Sequence, residues 1–231
     1  MMKKLMIALA IVALASVAQA ELLATWTASG AQNLAGGPFA QTGGSTNYTF
    51  TMVTGGGFVA GGTPAGATYA GAGATAADAA TAYTDGQYVY FTWDTDYTLS
   101  LDSVSALYTR SGTGAQNAQW GTIISSTWTS IGTAITGITT ATPTTSTAPI
   151  TTTFTGVTGL ESGQLGVAFY GGTSSANSAW VRFDSRPSGT PQVALSIEGT
   201  MNPITPIPEP ATMGLLGLGA LALALRRKLS K

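Results

Sequence analysis

Carboxylates, hydroxyls and arginines are the only groups that residues 21–205 offer for chemistry. The whole sequence contains no Cys and no His, and residues 21–205 contain no Lys. This composition excludes Cys/His zinc sites, imidazole general bases, Cys nucleophiles, disulfides, Schiff-base lysines and the lysine of a phosphate-binding loop. We therefore expect no enzyme activity and no cofactor.

The closest carboxylates are Asp94, Asp96 and Asp102. Oxygen ligands at such spacing could help to hold Ca²⁺. However, Asp94 and Asp96 lie between two strand candidates, where Asp commonly forms turns, and the longer ligand pattern of an EF-hand is missing. We interpret them as turn residues and expect no metal site. Nothing in the sequence places two acids in one cleft, as a glycosidase requires.

Tryptophan offers a second kind of site, because aromatic faces stack well on sugar rings. Alternatively, these side chains fill the core, which needs bulky residues where Leu, Ile and Val are sparse. Trp120 and Trp128 stand beside Gly, Ser and Thr, and we expect them to be the exposed pair and the glycan contacts. All five tryptophans lie between residues 21 and 205: Trp26, Trp93, Trp120, Trp128 and Trp180.

Periodicity predicts strands through most of residues 21–205. Val193, Leu195 and Ile197 alternate with small or polar residues, which predicts a half-buried strand with these three on its inward face. Residues 88–93 are rich in aromatic and β-branched side chains. Many short strands separated by turn signals predict an all-β fold, an antiparallel β-sandwich or jelly roll. Arg110 and Arg182 fall in or beside strands, where a salt bridge to a neighbouring acid is the ordinary role.

Two stretches are poor in large apolar side chains. Residues 55–85 are mostly Gly, Ala and Thr, and residues 139–158 are dense in Thr. We predict long loops or edge segments here. A brief helix within residues 72–82 is the alternative, but Gly and Thr weaken it.

The N-terminus has the three parts of a secretory signal peptide. Lys3 and Lys4 precede an uncharged run from Leu5 to Val17, and Ala18 and Ala20 form a small-x-small cleavage site. We expect export and cleavage by signal peptidase. A retained anchor is disfavoured because the run is too short to span a bilayer.

The C-terminus carries a second apolar run, from Ala211 to Leu225. As a helix it would rise about 22 Å, against a hydrocarbon core of roughly 30 Å. This predicts a short, marginal transmembrane helix with the basic cluster on the cytoplasmic side. The run is bounded by Pro208-Glu209-Pro210 on one side and by Arg226, Arg227 and Lys228 on the other.

This tail resembles the PEP-CTERM sorting signal of exported Gram-negative bacterial proteins. The resemblance implies recognition by exosortase, a membrane-embedded protease or transpeptidase that removes the helix near the Pro-Glu-Pro motif, and an association with exopolysaccharide and biofilm. The alternative is an ordinary C-terminal membrane anchor. Residues 180–184 and 197–200 also look like the end of other exported PEP-CTERM ectodomains, which implies a β-sandwich body without an assigned activity.

Together these features predict a signal peptide at residues 1–20, a β-rich exported domain at residues 21–205 and a sorting signal at residues 206–231. Nine acids against three arginines give the exported domain a charge of −6, and the whole chain carries −1, so we expect no nucleic-acid partner. The predicted function is a non-catalytic envelope or matrix protein. It is anchored transiently in the inner membrane, then placed at the cell surface or in the extracellular matrix. The alternative function is a polysaccharide-binding module with exopolysaccharide as its partner.

Overall fold

The structure, a computed structural model of the 231-residue chain, describes residues 20–28, 37–58, 70–140, 148–176, 179–183 and 192–204. The described residues form one short helix, α1 (Ala79–Thr84), and fourteen strands. The strands are β1 (Glu21–Ala28), β2 (Phe39–Ala40), β3 (Gly43–Gly44), β4 (Thr51–Thr54), β5 (Ala70–Ala72), β6 (Tyr88–Thr92), β7 (Tyr97–Ala106), β8 (Tyr108–Arg110), β9 (Asn117–Ile124), β10 (Thr127–Ser130), β11 (Ile150–Thr153), β12 (Leu165–Tyr170), β13 (Trp180–Phe183) and β14 (Gln192–Pro203).

The strands form three sheets. The five-stranded sheet has the order β11-β7-β14-β1-β3, the six-stranded sheet β10-β9-β12-β6-β4-β2, and the three-stranded sheet β5-β13-β8. Every pairing between these strands is antiparallel. The prediction of an all-β, antiparallel fold is confirmed.

One hydrophobic core joins the sheets. Trp26 on β1 contacts Phe91 on β6 with their ring centroids 5.3 Å apart, and Phe91 stacks on Trp120 of β9. The contact between Trp26 and Phe91 crosses from the five-stranded to the six-stranded sheet, so the two large sheets face each other as two layers. Val181 and Phe183 of the small sheet belong to the same core.

The inward face of β14 differs from a simple alternation. Leu195 and Ile197 are fully buried as predicted, but Val193 is 48% exposed and Ala194 is fully buried. The cause is a β-bulge: Trp26 of β1 pairs with Leu195 and the next residue, Thr27, pairs with Val193, which leaves Ala194 as an extra residue. The prediction that Val193 lies on the inward face is therefore wrong.

A second bulge lies where β7 pairs with β14. Ser103 pairs with Glu198 and Leu101 pairs with Gly199, so Asp102 is the extra residue of β7. Before it the odd positions Leu99 and Leu101 are buried, and after it the even positions are buried. The buried positions of β7 therefore change from odd to even numbers across this bulge.

The stretch predicted as a long loop between residues 55 and 85 contains more regular structure than expected. β5 begins at Ala70, and α1 occupies Ala79–Thr84. The helix starts at Asp78, whose side chain accepts a 2.8 Å hydrogen bond from the backbone N–H of Thr81. This N-cap compensates for the weak propensity of the surrounding Gly and Thr.

Candidate functional site

Four aromatic rings form a continuous row on the outer face of the six-stranded sheet. We call this row the aromatic platform; its members are Trp128, Tyr83, Tyr88 and Tyr90. Successive ring centroids lie 5.8 Å apart for Trp128 and Tyr83, 4.8 Å for Tyr83 and Tyr88, and 5.9 Å for Tyr88 and Tyr90. All four side chains are partly exposed. The row therefore presents aromatic surface to solvent.

The pleat of β6 places two of the rings. Val89 and Phe91 point inward and are fully buried, so Tyr88 and Tyr90 point to the opposite, outer face. Both neighbours of this strand are also in the sheet, β12 on one side and β4 on the other. The two tyrosines thus stand on an interior strand of the sheet.

A floor of glycine lets Trp128 lie across the sheet. A Cβ atom at Gly121 of β9 would collide with the six-membered ring of Trp128, and one at Gly166 of β12 would lie 3.2 Å from its Cζ3. The indole nitrogen of Trp128 donates a 3.2 Å hydrogen bond to the hydroxyl of Ser130. Without side chains at Gly121 and Gly166, the indole reaches from the edge strand β10 over two strands.

Helix α1 positions the fourth ring, that of Tyr83. Its buried residues Ala79 and Ala82 form a small apolar cluster with Ala76 and Ala168, and Ala168 lies on the outer face of β12. Tyr83 follows Ala82 and contacts both Trp128 and Tyr88. The inner parts of Tyr88, Trp128 and Tyr170 pack against the same cluster, so these rings also hold the helix to the sheet.

Two phenols at or beside the platform have pKa values above their ordinary value. Burial, followed by the neighbouring Tyr83 and Tyr90, raises the pKa of Tyr88 above its ordinary value. Burial, followed by the charge of Asp78, raises the pKa of Tyr170 beside the platform. Both hydroxyls are hydrogen-bond donors at neutral pH. Conversely, the hydrogen bond from the Thr81 backbone lowers the pKa of Asp78, so this carboxyl remains an anion.

The two tryptophans predicted as glycan contacts have different positions. Trp120 is fully buried, stacks on Phe91 and donates a 3.1 Å hydrogen bond from its indole nitrogen to the hydroxyl of Tyr108. The expectation that Trp120 is exposed is wrong, because its position on β9 points into the core. Trp128 is partly exposed and belongs to the platform. Trp26 and Trp93 are buried, as the core-filling alternative predicts.

The tyrosines of the platform were not predicted as site residues from the sequence. Tyr88 and Tyr90 could have been found, because they alternate with the apolar Val89 and Phe91 in a strand that was predicted. Nothing local marks Tyr83, whose contact with Trp128 depends on where α1 packs.

The other candidate residues have structural roles. The Asp94 carboxylate accepts a 3.0 Å hydrogen bond from the backbone N–H of Asp96, the geometry of the predicted turn. Arg182 is nearly buried on β13 and donates a 2.7 Å hydrogen bond to the Thr109 hydroxyl. Arg110 donates to the carbonyl oxygens of three residues: Ile138, Ser111 and Gly112. The prediction that the two arginines lie in strands is confirmed.

An open groove of about 410 Å³ lies between residues 132–136 and strand β11. Its lining consists of Gly, Ala, Ile and Thr, and it includes no acidic or basic side chain. A groove with this lining has no general acid or base for catalysis.

Comparison with known proteins concerns the C-terminal tail. Residues 206–228 match the family model of the PEP-CTERM protein-sorting motif. The chain carries a PEP-CTERM sorting signal. The match spans Pro208, Glu209 and Pro210 together with the basic Arg226, Arg227 and Lys228, which confirms the resemblance seen in the sequence. The PEP-CTERM motif indicates exosortase-dependent sorting of an exported protein towards the cell surface.

No curated protein and no solved structure matches the chain significantly. The residues of the PEP-CTERM motif, the predicted transmembrane helix and the cleavage-site residue Ala18 lie outside the described residues, whereas Ala20 is described and exposed. Among the helices that the structure describes, none has the length and apolar character needed to cross a membrane.

Proposed function

We propose that this protein is a non-catalytic component of the cell envelope or extracellular matrix. In this proposal the signal peptide at residues 1–20 is removed by signal peptidase, residues 21–205 form the exported domain, and residues 206–231 direct processing by exosortase. The observation that carries the proposal is the match of residues 206–228 to the PEP-CTERM sorting motif. The absence of Cys and His from the sequence supports a role without catalysis.

The tail is suited to transient anchoring. The apolar run from Ala211 to Leu225 is short for a bilayer span, and local thinning of the bilayer would have to accommodate it. The flanking prolines interrupt the helix and expose backbone just outside the membrane, where a protease can act. The basic residues after Leu225 favour the cytoplasmic side, which places the Pro-Glu-Pro motif on the outer side of the inner membrane.

Replacement of Pro208, Glu209 and Pro210 by alanine tests the sorting role. We expect an unprocessed form that stays in the inner membrane of the native host, because three alanines neither interrupt a helix nor provide the processing motif. Immunoblots of membrane and extracellular fractions measure this. A matched control replaces Ile204 and Thr205 by alanine, which lie just before the matched residues 206–228. Normal processing of the Pro-Glu-Pro variant would contradict the assignment.

A second candidate function is the binding of polysaccharide at the cell surface, and the aromatic platform favours it. Its four partly exposed rings offer aromatic surface on which the C–H groups of sugar rings can pack. The tyrosine hydroxyls add donors for sugar oxygens. A row of this kind is open to solvent along its length and could bind several sugar units of one chain.

Substitution of platform residues tests this second function. We expect Trp128→Ala to weaken binding of the protein to the host's isolated exopolysaccharide by up to about tenfold, since contact with one aromatic ring contributes roughly 0.5–1.5 kcal/mol. Tyr90→Ala provides an independent test, because Tyr90 packs on neither hydrophobic cluster. Tyr97→Ala is the control, as it removes a partly exposed ring that contacts Tyr48 away from the platform. Pull-down and co-sedimentation measure binding, and equal binding of all three variants and the wild type would contradict a role of the platform.

A further inference from the structure

The charges around the aromatic platform define the class of glycan that it can take. This inference rests on the proposed binding function of the platform. The exported domain carries nine acids and three arginines, with no lysine. A polyanionic chain would therefore approach a surface of like net charge.

Two carboxylates flank the helix that carries the platform residue Tyr83. Asp78 is the N-cap of α1 and Asp85 is its C-cap. The helix that carries Tyr83 therefore has an acidic residue at each end. Both carboxylates are exposed. After burial, the charge of Asp78 also raises the pKa of Tyr170, a ring that packs with Tyr88 and Trp128 on the same apolar cluster. Like charges on a ligand at this surface are repelled over roughly a Debye length, about 8–10 Å at moderate salt.

The described cations lie elsewhere. Arg110 is on β8 and Arg182 is on β13, both in the three-stranded sheet rather than the six-stranded sheet. Their guanidinium groups donate hydrogen bonds to protein oxygen atoms there. Carboxylate or sulfate groups of an acidic polysaccharide are usually bound by Arg or Lys. Within the part of the chain that the structure describes, the platform has no such cation beside it.

The form of the platform favours a chain over a small sugar. Small ligands bind in concave sites that enclose most of their surface. Here the rings lie on an outer sheet face, with Trp128 over Gly121 and Gly166, and adjacent ring planes differ by 28° to 48°. The rings pack partly on one another along the row, and their exposed parts can contact consecutive units of an extended polymer.

We infer that the aromatic platform binds neutral polysaccharide chains and discriminates against polyanionic ones through the carboxylates of Asp78 and Asp85. The rings provide the attraction, and it does not depend on ligand charge. The two acids at the ends of α1 provide the discrimination. Acidic polymers are then disfavoured by repulsion, and among the residues that the structure describes no cation beside the platform could pair with them.

Two cellulose derivatives with the same backbone test the inference. Hydroxyethyl cellulose is neutral and carboxymethyl cellulose is anionic. The full-length protein is purified in a polyoxyethylene detergent, which has no sugar headgroup, and its affinity for each polymer is measured by affinity electrophoresis and by titration. We expect the neutral polymer to bind about fivefold or more tightly than the anionic one at low salt, and the difference to shrink when salt screens the charges.

The double variant Asp78→Asn with Asp85→Asn provides the matched measurement. Asn is as good an N-cap as Asp, so α1 should remain folded, and its circular dichroism spectrum checks this. We expect improved binding of carboxymethyl cellulose and unchanged binding of hydroxyethyl cellulose. Equal or stronger binding of the anionic polymer by the wild type, or no change in the double variant, would overturn the charge discrimination. Lack of any binding that depends on Trp128 and Tyr90 would instead overturn the platform as a glycan site.

Discussion

Tyr108 and Trp120 form a buried polar pair between strands of different sheets. The Trp120 indole N–H donates to the Tyr108 hydroxyl at 3.1 Å, and both side chains have at most 3% of their surface exposed. A buried donor without an acceptor costs more free energy than a formed hydrogen bond contributes. The pair therefore stabilises the fold mainly because it keeps the buried Trp120 N–H from lacking an acceptor, and less through the net attraction of the hydrogen bond.

Tyr108→Phe tests this pair. The variant leaves the Trp120 N–H without its acceptor, and we expect the free energy of unfolding to fall by about 1–3 kcal/mol. Chemical denaturation of the purified protein measures it. Tyr90→Phe is the matched control, because it removes a hydroxyl from a partly exposed ring, and its effect should stay within about 0.5 kcal/mol. Equal effects of the two variants would mean that the hydrogen bond contributes little.

The same residue shows a limit of sequence analysis. The small and polar neighbours of Trp120 indicated exposure, but burial in a strand is decided by the face on which a residue lies. On β9 the residues Ala118, Trp120 and Thr122 share the inward face. Trp128 has similar neighbours and lies on the other side of the sheet. Composition around a residue could not distinguish the two.

At the scale of elements, composition predicted the strand β6 and alternation predicted β14. Leu195 and Ile197 in β14 are buried as the period of two requires, whereas Val193 is exposed. The bulge at Ala194 was not predictable from β14 alone, because a bulge is a property of the pairing with β1. The contact of Tyr83 with Trp128 was also not predictable from the sequence, since it depends on how α1 packs over Ala168.

Adjacent substitutions in β14 test the bulge. Ala194→Asp buries a carboxylate, and we expect it to lower stability by about 3 kcal/mol or more. Val193→Asp places the same carboxylate on the exposed face and should cost about 1 kcal/mol or less. A regular alternation would give the opposite order. Thermal denaturation of both variants decides between them, with Leu195→Asp as a control that is expected to be severe in either case.

At the scale of the whole molecule, one core connects the three sheets. Tyr108 lies on β8 of the small sheet, accepts from Trp120 of the six-stranded sheet and contacts the rings of Phe169 and Phe183. The core also includes Trp26 and Leu195 of the five-stranded sheet. With no disulfide in the chain, this shared core and the strand pairing hold the sheets together. Disruption at Tyr108 should therefore affect all three sheets.

Alkaline pH disrupts the core at Tyr108, because it favours ionisation of the buried phenol. Burial raises the pKa of Tyr108, and the hydrogen bond from Trp120 only partly opposes this effect. Above about pH 10 an unfolded chain releases the phenolic proton while the folded chain retains it, so stability is complete below that pH and falls as the pH rises above it. We expect one cooperative loss of structure, with near-ultraviolet and far-ultraviolet circular dichroism changing at the same pH.

The variant Tyr108→Phe tests whether the buried phenol causes this loss. Its alkaline decrease in stability should be smaller but not absent, since the pKa values of Tyr48, Tyr88 and Tyr170 are raised as well. Two separate transitions would show that the sheets unfold independently, and an unchanged decrease in Tyr108→Phe would show that the buried phenol is not its cause.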